Sequence, residues 1–457
     1  MANKQKNILK TPLTFLFINI LPVFVLSCAT KTYAFNEIDN AVLYADFHSA
    51  LNLITKSQTS SAAIYSANNA ISLFIDKGLL EYYAGNYAAS SADLQNAERL
   101  IEEAYTKSIT QGFFSYILND NVKEYPGEDF EDIYINIFNA LNYYNRGNIE
   151  GALVEIRKLS SSNGKLDMLS RKYEYKDPRT GAGLRDMARN ETGISQMPET
   201  ISVNFSNSAL ARFLGALFYQ AYGNADASRI ELEQVQRAFN TNRNIYRSPI
   251  PRTVAETRSI PAGKARLNII SFTGLSPVKE EQKIIHYLPF RHPVLQIALF
   301  KLPVLKERPS RITRIEVIVD KEDSFNLELL EDLGAVIKET YNARYSNIVL
   351  KTYIRTISKY VAADIAAMET IKNKDELSGL LVAIAARTAM DISESADIRM
   401  SRFLPGKAYI GGINLDPGTY SVRINYYNNN SLLNHDNYNN VVVNQNGLNL
   451  LQSVNLR

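Results

Sequence analysis

A glycine followed by asparagine recurs three times in the first half of this chain, at Gly85-Asn86, Gly147-Asn148 and Gly223-Asn224. Each pair sits between two runs of helical apolar periodicity. Glycine tolerates the left-handed backbone that other residues resist, so each pair predicts a tight turn between two antiparallel helices. The flanks repeat as well. Gly78, Tyr87, Ser90, Leu94 and Ala97 surround the first turn, Ala140, Tyr143, Ala152 and Ile156 the second, and Ala216, Tyr219, Ser228, Leu232 and Val235 the third. Small residues stand where paired helices touch, and large apolar ones fill between them.

This order of small and large residues is that of a tetratricopeptide-like helical repeat, and the aromatics near its first two turns, Tyr83, Tyr87, Tyr143 and Tyr144, become candidate contacts for a protein or peptide in the repeat groove, with packing between the helices as the alternative role. The turns lie 62 and 76 residues apart, so the units are not tandem at the standard period. In the first gap, Pro126-Gly127 precedes Glu128, Asp129, Glu131 and Asp132, acids that suit the first turn of a helix better than a calcium loop. The second gap, near 160–208, is polar and mixes Arg171, Lys172, Lys176, Arg179, Arg185 and Arg189 with acids; it reads as a loop insertion.

After a proline-marked linker over 248–263 the pattern changes to short β-branched runs at 266–272, 295–302 and 312–319, then at 408–415, 419–427, 440–443 and 448–456. Asp416-Pro417-Gly418 marks a tight turn between two of them. Between these sets, Leu329, Leu330, Leu333, Val336 and Ile337, then Val349, Tyr353, Ile357 and Tyr360, then 376–396, keep helical spacing. The expected fold is therefore α+β: a tetratricopeptide-like helical domain over 28–247, and a β-sandwich-like domain over 264–457 interrupted by a helical insert near 325–398.

The lone cysteine, Cys28, closes a segment with Lys4, Lys6 and Lys10 followed by an apolar stretch from Leu13 to Val25. That is the pattern of a bacterial lipoprotein export signal over 1–27, with Cys28 as the lipidated N-terminus of the mature chain. Three of the 50 basic residues lie in that segment, which leaves 47 against 47 acidic ones. A balanced chain has no field to draw it to nucleic acid, and membrane attachment must rest on acyl chains. Ala29 follows, not the aspartate that retains such proteins at an inner membrane, so the expected location is the outer membrane of a bacterial envelope.

Chemistry is sparse. His48, His286, His292 and His435 lack metal-ligand spacing, and no nucleophile elbow, phosphate loop or dinucleotide fingerprint is present. No metal, cofactor or catalytic residue is expected. Asp391 and Glu394 could do acid–base work, but Arg387 and Arg399 on the same stretch favour ion pairing.

The stretches Gly85-Asn86-Tyr87, Gly127 to Glu131, Gly274 to Lys279, Ala385 to Thr388, Ala396 to Arg399, Leu404-Pro405-Gly406 and Leu415 to Tyr420 together resemble a family of bacterial lipoproteins with tetratricopeptide-like repeats and a C-terminal β domain. Members often carry a tryptophan near Met400 to Phe403, which this chain lacks. The resemblance implies a role beside envelope proteins that assist outer-membrane or cell-wall assembly. The resulting expectation is a non-catalytic interaction scaffold with an envelope protein partner. The alternatives are an envelope enzyme acting on glycan or peptide and a carrier of an apolar ligand.

Overall fold

The structure is a computed structural model that describes residues 35–59, 64–109, 123–161, 163–174, 205, 207–288, 290–320 and 323–457. Cys28, the segment 1–27 and most of the polar insertion lie outside them. The chain divides into two compact units, Met1–Ser66 and Ala67–Arg457. In the first, a helix over 35–43 and one over Phe47–Gln58, capped by Asp46 on the Ser49 amide at 3.1 Å, bury Ile38, Val42, Leu51 and Ile54.

The second unit is α+β, with helices followed by C-terminal sheets. Helices α1 (Ala70–Tyr83) and α2 (Tyr87–Ile109), α3 (Asp129–Asn145) and α4 (Ile149–Ser160), and α6 (Ala209–Ala221) and α7 (Ala225–Thr241) form three hairpins; α5 (Lys165–Glu174) follows the second. One turn closes all three. Gly85, Gly147 and Gly223 stand at φ +82, +74 and +81°. The asparagine amide after each reaches back to Glu81, Tyr143 or Tyr219 at 2.8, 2.9 and 2.8 Å, which satisfies a carbonyl at the helix end. Asn148 and Asn224 then cap the next helix through Gly151 and Ala227 at 2.8 and 3.0 Å.

A short helix α8 (Arg252–Glu256) interrupts the expected linker. Among the described residues ten strands follow: β1 (Ala265–Leu275), β2 (Val278–Tyr287), β3 (Ile297–Lys306), β4 (Arg314–Val319), β5 (Asp323–Asn326), β6 (Glu328–Asp332), β7 (Pro405–Leu415), β8 (Gly418–Asn428), β9 (Ser431–Val443) and β10 (Asn449–Asn455). They make a sheet ordered β10-β1-β7-β6, a second ordered β5-β4-β8-β9, and the separate hairpin β2-β3. Strand β1 is buried along its whole length because both of its faces are covered. Ala265, Leu267 and Ile269 join a core with Ile315, Val317, Ile424 and Tyr426 of the second sheet, while Phe272 turns the other way onto Phe138 of α3 with ring centroids 5.1 Å apart. The layers thus run helices, first sheet, second sheet.

Between β6 and β7 lie α9 (Leu333–Asn373) and α10 (Glu376–Ser393). Two helices were expected where α9 runs unbroken for 41 residues, about 60 Å; no glycine or proline interrupts 335–373. Leu329 and Leu330, expected as its first turn, belong to β6 instead, since pairing with β7 supplies the backbone hydrogen bonds a helix start would leave open. The distal half of α9 packs with α10 and the β2-β3 hairpin around Phe300, Val349, Tyr353, Ile357 and Tyr360, a core of its own.

Candidate interaction surfaces

The first helices of the three hairpins, α1, α3 and α6, present one face to the first sheet, and that face is built to hold backbone. The Tyr83 hydroxyl donates to the Phe403 carbonyl at 2.9 Å. Tyr144 donates to the Leu448 carbonyl at 3.1 Å and accepts from the Leu450 amide at 3.0 Å on β10. Tyr82 and Asn145 both meet Gln452 of β10, at 2.6 and 3.1 Å. Two of the four aromatics expected to face a partner are therefore spent on this chain's own backbone, Tyr83 on the stretch that leads into β7 and Tyr144 on β10 and the residue before it. Tyr87 and Tyr143 stay half-buried beside the first two turns, with the Tyr143 hydroxyl accepting from Gln95 at 3.0 Å.

Three carboxylates with no exposed surface form the seam, Asp76, Glu131 and Glu331. Asp76 on α1 accepts from the Arg402 and Phe403 amides at 2.6 and 3.2 Å. Glu131, in the first turn of α3, reaches back to the Glu128 amide at 2.7 Å, accepts from the Tyr125 hydroxyl at 2.7 Å, and takes the Ser401 amide. Burial and then the charge on Glu128 push its carboxyl up, against the pull of those donors. Glu331 on β6 accepts from Tyr246 at 2.6 Å, Tyr134 at 2.7 Å, Ser208 at 3.0 Å and the Leu210 amide at 3.2 Å. Burial likewise raises it. The same burial, with Glu331's charge, pushes the Tyr134 and Tyr246 phenols far above their ordinary range and keeps them as donors.

The acidic cluster of the first gap is thus a helix start with further duties: Glu128 also binds Lys279 and Arg344. Among the described residues no group of histidine, cysteine and carboxylate side chains has the arrangement of a metal site. Sequence reasoning missed Asp76 and Glu331. The one signal available was an acid on the apolar side of an otherwise apolar stretch, Asp76 after Leu73-Phe74-Ile75 and Glu331 after Leu329-Leu330.

The second surface is α10. Only Gly379, Ala383 and Met390 of its 18 residues are buried. A Cβ on Gly379 would come 2.1 Å from the Ile371 side chain, so glycine there is what lets α10 lie close on α9. On the far side Leu377, Leu381, Ile384 and Ile392 are 65, 59, 46 and 61 % exposed. Leu381 lies about 200° round the helix from Gly379, so the stripe faces away from the contact that anchors it. Between Glu376 and Asp391 the only charged residue is Arg387, and it donates to the Val294 carbonyl at 2.8 Å. Nearby, Ile285 and Tyr287, each 69 % exposed, share one face of the β2-β3 hairpin with Ile297.

The carboxylates that acid–base chemistry would have used are otherwise engaged. Glu394 is buried between Arg355 at 2.9 Å and Lys359, and Asp391 lies 4.0 Å from Arg387. The dent beside them, about 180 Å³ of open space lined by Leu299, Thr356, Lys359, Tyr360, Met390, Asp391 and Glu394, is small for a ligand site. No helix among the described residues is long and apolar enough to cross a membrane. No protein-family model, curated protein or solved structure matches this chain.

Proposed function

We propose that the chain is a non-catalytic interaction scaffold of the bacterial cell envelope, anchored in the outer membrane by lipid on Cys28, and that it presents α10 to a protein partner. The observation that carries this reading is the exposed stripe of Leu377, Leu381, Ile384 and Ile392. An apolar stripe along a helix is ordinarily turned to a core or a partner. Leu377, Leu381 and Ile384 follow the spacing by which a helix enters an apolar groove of another protein. The three hairpins with their left-handed glycines are read as tetratricopeptide-like units, and the two sheets sharing one core as a sandwich-like domain. In this reading they serve as the rigid body from which the α9–α10 arm extends, and the repeat groove is filled by the chain's own sheet.

Two variants test it. Leu381→Asp/Ile384→Asp changes only exposed positions, so the purified protein should keep its melting midpoint and lose a partner adduct formed by the wild type in living cells. An unchanged adduct pattern refutes α10 as the docking face, and loss of liposome flotation instead would assign the stripe to lipid. Cys28→Ser should abolish detergent-phase partitioning; a variant that still partitions as the wild type does refutes the anchor.

A further inference from the structure

Most of the free sheet edges are closed by the chain itself. The Tyr360 hydroxyl donates to the Ile297 carbonyl and accepts from the Leu299 amide on β3, both at 3.4 Å, and the Tyr341 hydroxyl takes the Pro303 carbonyl. Tyr144 covers β10 in the same way. Strands β5 and β6 are only four and five residues long, and β9 is bent where its register shifts against β8, with Asn440 at φ +60°. Short edges and bulges discourage pairing with another chain. Strand β2 has neither. Its ladder with β3 runs unbroken from Val278↔Lys306 to Tyr287↔Ile297.

Backbone groups alternate between the two sides of an antiparallel strand. Leu299 and Ile297 turn theirs away from β2, so their partners Ile285 and Tyr287 turn theirs away from β3, and by the same alternation so does Lys283. At the start of β2 the connection from α10 to β7 covers this edge: the Lys279 amide meets Met400 Sδ at 3.1 Å, and the Glu281 carboxylate takes the Ala396 amide at 2.9 Å. Beyond Glu281 the cover ends. Among the described residues no strand pairs with the outer edge of Lys283, Ile285 and Tyr287, and nothing bonds their outward amides and carbonyls. Ile284 and His286 turn inward to Phe300 and Tyr353, while Lys283, Ile285 and Tyr287 are exposed.

We propose that β2 pairs with β2 of a second copy of this chain, antiparallel about a twofold axis at Ile285, so that two hairpins become one four-stranded sheet. Strand addition at an open edge is an established mode of association, and a two-stranded hairpin has the most to gain from it. The sequence of the edge suits a second copy and selects the register. A twofold at Ile285 sets Ile285 on its own copy and Lys283 opposite Tyr287 of the other chain. It alone uses all three outward positions of both strands, for about six backbone hydrogen bonds. A twofold at Lys283 would set like charges against each other, and one at Ile284 would need Glu281, where the α10–β7 connection lies. In the chosen register each Lys283 ammonium meets a tyrosine ring and no cation. The whole chain, with 50 basic and 47 acidic residues, carries little charge to keep two copies apart. Ile297, 45 % exposed and paired with Tyr287, continues the apolar face. The inference does not rest on α10 docking a partner.

Sedimentation equilibrium of the full chain carrying Cys28→Ser should give a dimer. Ile285→Lys and Tyr287→Lys change exposed positions and should keep the far-ultraviolet circular dichroism, yet each sets lysine against lysine and should weaken the dimer at least about tenfold. The register has its own test. With an ethane-bridged bis-maleimide, Lys283→Cys chains mixed with Tyr287→Cys chains should cross-link to each other and neither to itself, because like positions stand about 14 Å apart along the strands. A monomer at about 0.1 mM, a dimer that survives both lysines, or self-links as abundant as mixed ones would each overturn the proposal.

Discussion

Glu331 joins the helical layer to the first sheet, so its removal should be felt on both sides. Replacing it with alanine leaves the hydroxyls of Tyr134 and Ser208 and the Leu210 amide facing a site with no acceptor, while Tyr246 keeps the Asn207 carbonyl at 3.1 Å. A buried donor without a partner costs about 1–3 kcal/mol. Relief from holding a desolvated carboxylate offsets part of the sum, which leaves a net loss of about 3–5 kcal/mol. Glu331→Gln keeps one oxygen and should cost about 1–2 kcal/mol, near that of a single weakened hydrogen bond. Urea denaturation followed by far-ultraviolet circular dichroism measures both. A Glu331→Ala midpoint indistinguishable from wild type would refute the seam. The pH dependence has a definite sign. Burial raises this carboxyl in the folded state, so its contribution is fully present below the unfolded value and is lost as pH rises through the raised folded one. Wild type should therefore gain stability relative to Glu331→Gln as pH falls through the raised folded value toward the unfolded one. Glu131, raised in the same way, is common to both proteins and cancels.

Gly85→Val and Gly147→Val meet nothing within 4 Å and fail on backbone alone, since φ is +82 and +74°; each should lower stability by at least about 1 kcal/mol in thermal melts, and unchanged midpoints would refute the left-handed turns. Glu98 behaves oppositely to Glu331: burial would push it up, but Lys165, Lys158 and Asn136 overcome that and hold it at about 2. A depressed carboxyl contributes above its unfolded value of 4.5 and loses that contribution as pH falls toward about 2. At about 1.4 kcal/mol per unit, discounted for solvent screening, Glu98→Gln should cost about 2 kcal/mol at neutral pH and flatten the acid limb of the stability profile; an unchanged acid limb would refute it.

What could be read from the sequence follows how local each interaction is. Helices ahead of sheets were legible because apolar periodicity changes from helical spacing to short β-branched runs near residue 264. The acids after Gly127 announced a helix start because capping is satisfied within four residues. Strand β2 was not legible: Lys279, Glu280, Glu281, Gln282 and Lys283 carry no apolar alternation, and the strand exists because β3 pairs with it along its length. Leu329 and Leu330 fit a helix as well as a strand, and pairing with β7 decided between them. The seam was hidden for a different reason. Tyr134 meets Glu331 across 197 residues, Glu131 meets Ser401 across 270, and Asp76 meets Arg402 across 326. A buried acid whose acceptor role is satisfied so far away looks, in sequence, like an interruption of an apolar run. The α10 stripe was present as composition, but which side of this largely apolar helix is left uncovered is decided by the approach of α9 at Gly379.

The central claim is that the exposed face of α10, and not the aromatics beside the repeat turns, meets the partner. Site-specific photocrosslinking in living cells tests it most directly, with a photoreactive residue placed at Leu381, Tyr87 or Tyr143 in turn. The account predicts a discrete protein adduct from Leu381, abolished by Ile384→Asp in the same chain, and none from the two tyrosine positions. Adducts from Tyr87 or Tyr143 with none from Leu381 would contradict it.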